Sequence, residues 1–187
     1  MLDTASQSAF QVKPELISVE LQHEIEQFYY WEAKLMADRR WEEWFSLMSK
    51  DIKYWAPLRS TRSHAAEAKL EYTDEKGFGH FADNWSSLDG RIRKITSDVG
   101  WSENPASRLR HIVGNVLIWK DRQADVYDVS TSLMTYRNRQ ERQTDFFAAE
   151  RQDRIRRVDD ACGFEIVERK ILIDQSTLLS NNISFFF

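Results

Sequence analysis

Four histidines and one cysteine are the residues from which a self-sufficient catalyst would be built, and none stands in a recognisable local motif. His23, His64, His80 and His111 include no pair at the i+3 to i+5 spacing that sets two ligands on one helix face. Cys162 is the only cysteine, so the chain cannot assemble a four-thiolate zinc or iron–sulfur site, nor a Rieske centre with two Cys and two His. That cysteine lies in the turn "DDACG", beside acids that raise a thiol's pKa and make a poor setting for a nucleophile. The "GFG" at 77–79 lacks the Lys and Ser/Thr of a phosphate-cradling loop, and no "GxSxG" elbow is present. One acid–base pair survives. Asp38, at a helix junction, and His111, where the strand of "RLRHIVGN" begins, would suit dehydration or isomerisation if both faced a dry interior. The plainer reading is that Asp38 caps a helix and His111 bonds a backbone group.

The elements that would position these residues can be read from periodicity. Ile17, Leu21, Ile25, Phe28, Trp31 and Leu35 recur at helical spacing between Pro14 and Met36. Trp41, Trp44, Phe45 and Met48 make a second short helix, with Asp38 as its expected cap. "DIKYWAPL" reads as a strand that Pro57 confines to an edge or an end, and residues 59–76 as loop with a possible short strand. Phe78, Phe81, Trp85, Leu88, Ile92 and Ile95 predict a third helix. Beyond Arg108 come four strand-like runs, "RLRHIVGNVLIW", "DVYDVSTSLMTY", "DFFAAERQDRIRRV" and "FEIVERKILI", separated by short polar turns. Short connections imply an antiparallel meander, since parallel neighbours need crossovers. In the last run Phe164, Ile166, Glu168 and Lys170 share one expected face, and Glu165, Val167, Arg169 and Ile171 the other, so both look mixed. Helices first and sheet second give an α+β fold in which a strongly curved antiparallel sheet wraps around N-terminal helices. Such a cone can enclose a pocket at its wide end.

With 187 residues, the chain reads as a flexible leader over 1–13 and a single domain over 14–187. A net charge of −4 disfavours nucleic acid. The one dense basic stretch, Arg137 to Arg157, reads either as a solvated strand face or as a surface for an acidic protein. No apolar run approaches the ~18 residues of a membrane span, and the lone cysteine fits a reducing cytoplasm. Seven Trp and eleven Phe, three of them ending the sequence as "NNISFFF", point to a large core, a ligand cavity or an interface. The tail rings Phe185, Phe186 and Phe187 are too few to span a membrane, which leaves the chain's own core or another protein to bury them.

Three stretches, "FYYWEAKLMADRRWEEWFSLMSKDIKYWAPLR" (28–59), "GHFADNWSSLDGRIRKI" (79–95) and "GWSENPASRLRHIVGNVLI" (100–118), resemble the small, or beta, subunit of aromatic-ring-hydroxylating dioxygenases. The block with Trp101, Pro105, Ser107, Arg108, His111 and Asn115 carries most of the resemblance, and the aromatic ending is similar to the biphenyl, toluene and cumene type. The resemblance implies a cystatin-like cone of the nuclear transport factor 2 kind. It implies an alpha3-beta3 hexamer whose large subunit holds a Rieske [2Fe-2S] cluster and a mononuclear non-haem Fe(II), fed from NAD(P)H through a reductase and ferredoxin. The complex would cis-dihydroxylate an aromatic hydrocarbon with O₂. This chain would then be a non-catalytic structural subunit with no cofactor of its own, and Trp101, Arg108, His111 and the three tail rings would be interface candidates. The alternatives are an independent cone-fold dehydratase or isomerase using Asp38 and His111, and a small-ligand binding module or transport adaptor of the same fold.

Overall fold

The computed structural model describes Phe10 and residues 12–61, 71–74, 77–97, 103, 105–141, 143–160 and 162–187. Helix α1 (Val19–Ala37) starts at Ser18, whose side chain accepts from the Leu21 amide. It buries Ile25, Phe28, Tyr29, Leu35 and Met36 along one stripe. Asp38 closes α1 at its C-terminal end, and the short helix α2 (Trp41–Ser46) begins at Arg40 without a side-chain cap. Asp38 therefore ends one helix instead of starting the next.

Strand β1 (Met48–Pro57) pairs antiparallel with β2 (Gly79–Asp83), and Pro57 is its last residue. The expected helix over 78–95 thus splits. Asn84 and Ser87 form a reciprocal capping box that fixes the start of α3 (Trp85–Thr96), while the residues before it are extended. A Cβ on Gly79 would stand 2.7 Å from the Ala56 carbonyl, so only glycine allows β2 to close on β1. Phe81 keeps an apolar role, facing Tyr54 and Phe187, while Phe78 is exposed.

The meander is present as β3 (Arg108–Lys120), β4 (Val126–Arg139), β5 (Gln143–Arg157) and β6 (Phe164–Ile173). The sheet order is β2-β1-β6-β5-β4-β3, and β1 joins β6 in parallel, a pairing the short-turn argument did not foresee. A bulge changes the face assignment in β6. Arg154 pairs with Glu168 but Ile155 pairs with Ile166, leaving Val167 between them. The inner face becomes Phe164, Ile166, Arg169, Ile171 and Ile173, all buried, so it is apolar except for one arginine. A second irregularity, between Gly114 and Leu117 in β3, includes Asn115 at φ 50°. Such bulges bend the sheet around the helices. Part of the expected leader is held: the Trp119 indole donates to the Val12 carbonyl at 2.7 Å and meets the Phe10 ring edge-on.

Candidate functional site

The acid–base pair does not form. The Asp38 carboxylate pairs with Lys34 on the surface, and that hydrogen bond holds its pKa below the usual value. His111 is buried on the inner face of β3, where Nε2–H donates to the Phe186 carbonyl at 3.1 Å. A carbonyl only accepts, so Nε2 carries a proton, and burial keeps the ring in its neutral form. Burial, offset in part by the bond to Phe186 and reinforced by Arg151, lowers its pKa to about 4. Asp38 is not among the groups that act on it.

A pH dependence follows from this neutral imidazole. Its folded pKa lies below the unfolded value, so its stabilisation is complete above about pH 6.5 and is lost as pH falls toward 4, by about 3 kcal/mol in all. His111→Asn keeps a donor for Phe186 but does not titrate. In urea unfolding of the chain at stepped pH, the variant should show a shallower fall than the wild type between pH 6.5 and 4. Parallel curves would remove His111 as the titrating group.

The interior that His111 faces is filled by the end of the sequence. Phe185, Phe186 and Phe187 are each 0% exposed within their own chain. Phe186 lies 4.4 Å from Trp44 between ring centroids, and Phe185 and Phe187 pack on Phe147 at 5.2 and 5.6 Å. Every tail carbonyl has its own donor: Arg91 for Phe185, His111 for Phe186, and both Arg169 and Tyr54 for Phe187. Upstream, the buried Arg137 binds Ser180, both oxygens of Asn182, and Glu103, which in turn accepts from Ser184. The expectation that these rings dock on a partner is overturned: the curved sheet leaves an apolar hollow that the helices do not fill, and the tail fills it.

Beside the tail lies a closed set of buried charges. Glu32 of α1 accepts from Trp44 at 3.1 Å, from Arg151 at 3.0 Å and from both terminal nitrogens of Arg169. Asp153 takes the remaining face of Arg169 at 2.9 and 2.7 Å. Burial pushes the Glu32 carboxyl up, but Arg169 and Arg151 outweigh it and bring its pKa down to about 2. The side-chain charges of these two acids and two arginines balance, and Arg169 also donates to a main-chain oxygen of Phe187. The basic stretch also resolves inward or into pairs, with Arg154 on Asp121 and Asp128, Arg156 on Glu165, and Arg157 on Glu24. It is neither a plain solvated face nor a free basic surface. Sequence reading missed Glu32 and Arg169 as a site. A signal existed for Glu32, which interrupts the stripe of Phe28, Tyr29, Leu35 and Met36 where an apolar residue belongs.

The family profile described as "Ring hydroxylating beta subunit" matches residues 31–180. Full-length relatives include a benzene 1,2-dioxygenase subunit beta of Pseudomonas putida, 54% identical, and a chlorobenzene dioxygenase subunit beta of a Cupriavidus species, 55% identical. A biphenyl 2,3-dioxygenase subunit beta of Rhodococcus jostii is 54% identical, and all three alignments cover 100% of both chains. This chain belongs to the ring-hydroxylating dioxygenase beta subunit family. Its fold agrees with a chain of naphthalene 1,2-dioxygenase at TM-score 0.83 and 18% identity, covering 100% of this chain and 95% of the other. A putative scytalone dehydratase of Novosphingobium aromaticivorans matches at 0.58 and 12%, covering 84% and 86%. The cone expected from the sequence is therefore the fold of this beta subunit.

Among the described residues, no three His, Cys, Asp or Glu side chains are grouped to hold a metal ion, and no helix is long and apolar enough to cross a membrane. On the outer sheet face the beta subunit exposes Ile112 and Met134, which are cross-strand partners, beside Phe146, which pairs with Tyr136. Of the earlier interface candidates, Arg108 is exposed, His111 is buried on the tail, and Trp101 lies outside the described residues.

Proposed function

We propose that this beta subunit is the non-catalytic structural subunit of the terminal oxygenase of an aromatic-ring-hydroxylating dioxygenase, in an alpha3-beta3 complex of the cytoplasm. The observation that carries the reading is what occupies the interior. The place where a dehydratase of this fold class would need an acid–base pair holds the chain's own phenylalanines, with His111 bonded to their backbone. Full-length kinship to beta subunits of benzene, chlorobenzene and biphenyl dioxygenases supports an aromatic hydrocarbon as the substrate class of the complex. A Rieske cluster and a mononuclear non-haem iron, supplied by the large subunit, would pass electrons from a reductase and ferredoxin and activate O₂. In this reading the beta subunit holds neither, in keeping with the absence of a metal-binding group among its described residues. Its residues form a cone whose exposed apolar side chains Ile112, Met134 and Phe146, with the half-buried Tyr136 between them, offer contact area to the assembly.

The test is co-expression with a large subunit of an aromatic-ring dioxygenase from the same source. The two should co-purify as one complex, and the chain alone should have no turnover. Ile112→Glu with Phe146→Glu should cut recovered complex at least tenfold while moving the isolated chain's melting temperature by only a few degrees, because exposed side chains contribute little to the fold. A chain that stays monomeric beside its large subunit would sink the structural reading. A complex unaffected by the two glutamates would move the contact surface elsewhere.

A further inference from the structure

Four polar atoms of the inner face have no hydrogen-bond partner among the described residues: Tyr29 Oη, His111 Nδ1, Thr135 Oγ1 and Arg151 Nη2. Their residues are at most 6% exposed. They fall in two pairs. His111 and Thr135 are direct cross-strand partners on the concave side of β3 and β4. The Arg151 guanidinium lies 5.2 Å from the Tyr29 ring centroid and donates through Nε to Thr131, one inward position beyond Leu133 on the same face as Thr135. The charge of Arg151 in turn acts on the His111 ring.

Leaving such groups bare costs about 1–3 kcal/mol each, and buried polar atoms without any partner are rare in folded proteins. Their chemistry is complementary. With Nε2 protonated, His111 Nδ1 only accepts, Arg151 Nη2 only donates, and the two hydroxyls do both. The surroundings favour a neutral guest, because the side chains of Glu32 and Asp153 already balance those of Arg151 and Arg169, and an added charge would be costly to bury. We propose that these atoms line a buried hydration site, in which water bridges the imidazole that holds the tail to the arginine of the ionic core. The inference stands on the orphaned atoms and not on the family reading.

The test is a crystal structure of the full chain, alone or in its complex, fine enough to show ordered water. Water within hydrogen-bond distance of at least two of the four atoms is expected, and Thr135→Val should remove it or lower its occupancy. In melting experiments Thr135→Val and Tyr29→Phe should each destabilise the chain. Together they should cost less than the sum, since both take ligands from one water network. Side chains that pair directly with each other in the crystal would overturn the site. So would hydroxyl deletions that leave the melting temperature unchanged or raise it, as removal of truly unpartnered hydroxyls would.

Discussion

Deleting Phe185, Phe186 and Phe187 should abolish cooperative folding of the chain rather than merely weaken its assembly. Each ring is fully buried, and truncating a buried Phe costs about 3–5 kcal/mol once the cavity is included. The deletion would also strip acceptors from His111, Arg91, Arg169 and Tyr54, at about 1–3 kcal/mol for each donor left buried and bare. Those losses together reach or pass the 5–15 kcal/mol that ordinarily separates folded from unfolded protein. Circular dichroism of the truncated chain should show no sharp thermal transition. Phe186→Leu, which keeps an apolar side chain and the backbone carbonyl, should retain one at a lower temperature. A truncated chain that melts within a few degrees of the wild type but no longer joins the large subunit would restore the tail as a partner contact.

That result turns on something the sequence could not disclose. Three aromatic rings at a chain end signal burial, but composition does not say where, because an interface and a core ask for the same side chains. What decides is the shape of the hollow, and that depends on two bulges and a parallel strand pair. The meander was legible because Arg108 to Ile173 alternates with period two between short polar turns. The pairing of Met48–Pro57 with Phe164–Ile173 was not, because it joins residues well over a hundred positions apart with no local mark. The bulge at Val167 hid the apolar face of β6. The Phe78 and Phe81 spacing imitated a helix because residues at 78, 81, 85 and 88 satisfy that period by chance, while Asn84 and Ser87 held the true start signal.

Candidate chemistry was read least well, for a related reason. His111 stood out as an isolated titratable residue in a strand, and it is central, but as a clamp on the Phe186 carbonyl rather than as a base. Asp38 suited it only if the turn after α1 faced inward, and the Lys34 pair keeps it at the surface. The residues that define the interior are instead a glutamate and arginines embedded in apolar patterns. Strand arginines such as Arg151 and Arg169 look solvent-facing by type. Only their alternation with Ala149 and Ile155, or Ile171 and Ile173, argues otherwise.

The second large effect concerns that charge group. Glu32→Gln should destabilise the chain by about 3–5 kcal/mol, the usual result of breaking a buried pair on one side only. Arg151 would lose its carboxylate partner while Arg169 kept Asp153, and the new amide would turn a donor toward one of the two arginines. At 187 residues this corresponds to a fall of the melting temperature of roughly 10 °C. Adding Arg151→Met should recover more than half of the loss, because it removes the surplus cation and leaves Arg169 paired with Asp153 through two bonds. Acid should act on the same group. The folded pKa of Glu32 is lowered to about 2, so its stabilisation is present above its ordinary value near 4.5 and disappears as pH falls from there toward 2. The Gln variant should therefore lose the acid dependence in that window, below the one assigned to His111. Costs that simply add in the double variant would mean that Arg151 stabilises the fold through packing on Tyr29 and Thr131 instead of through the charge of Glu32.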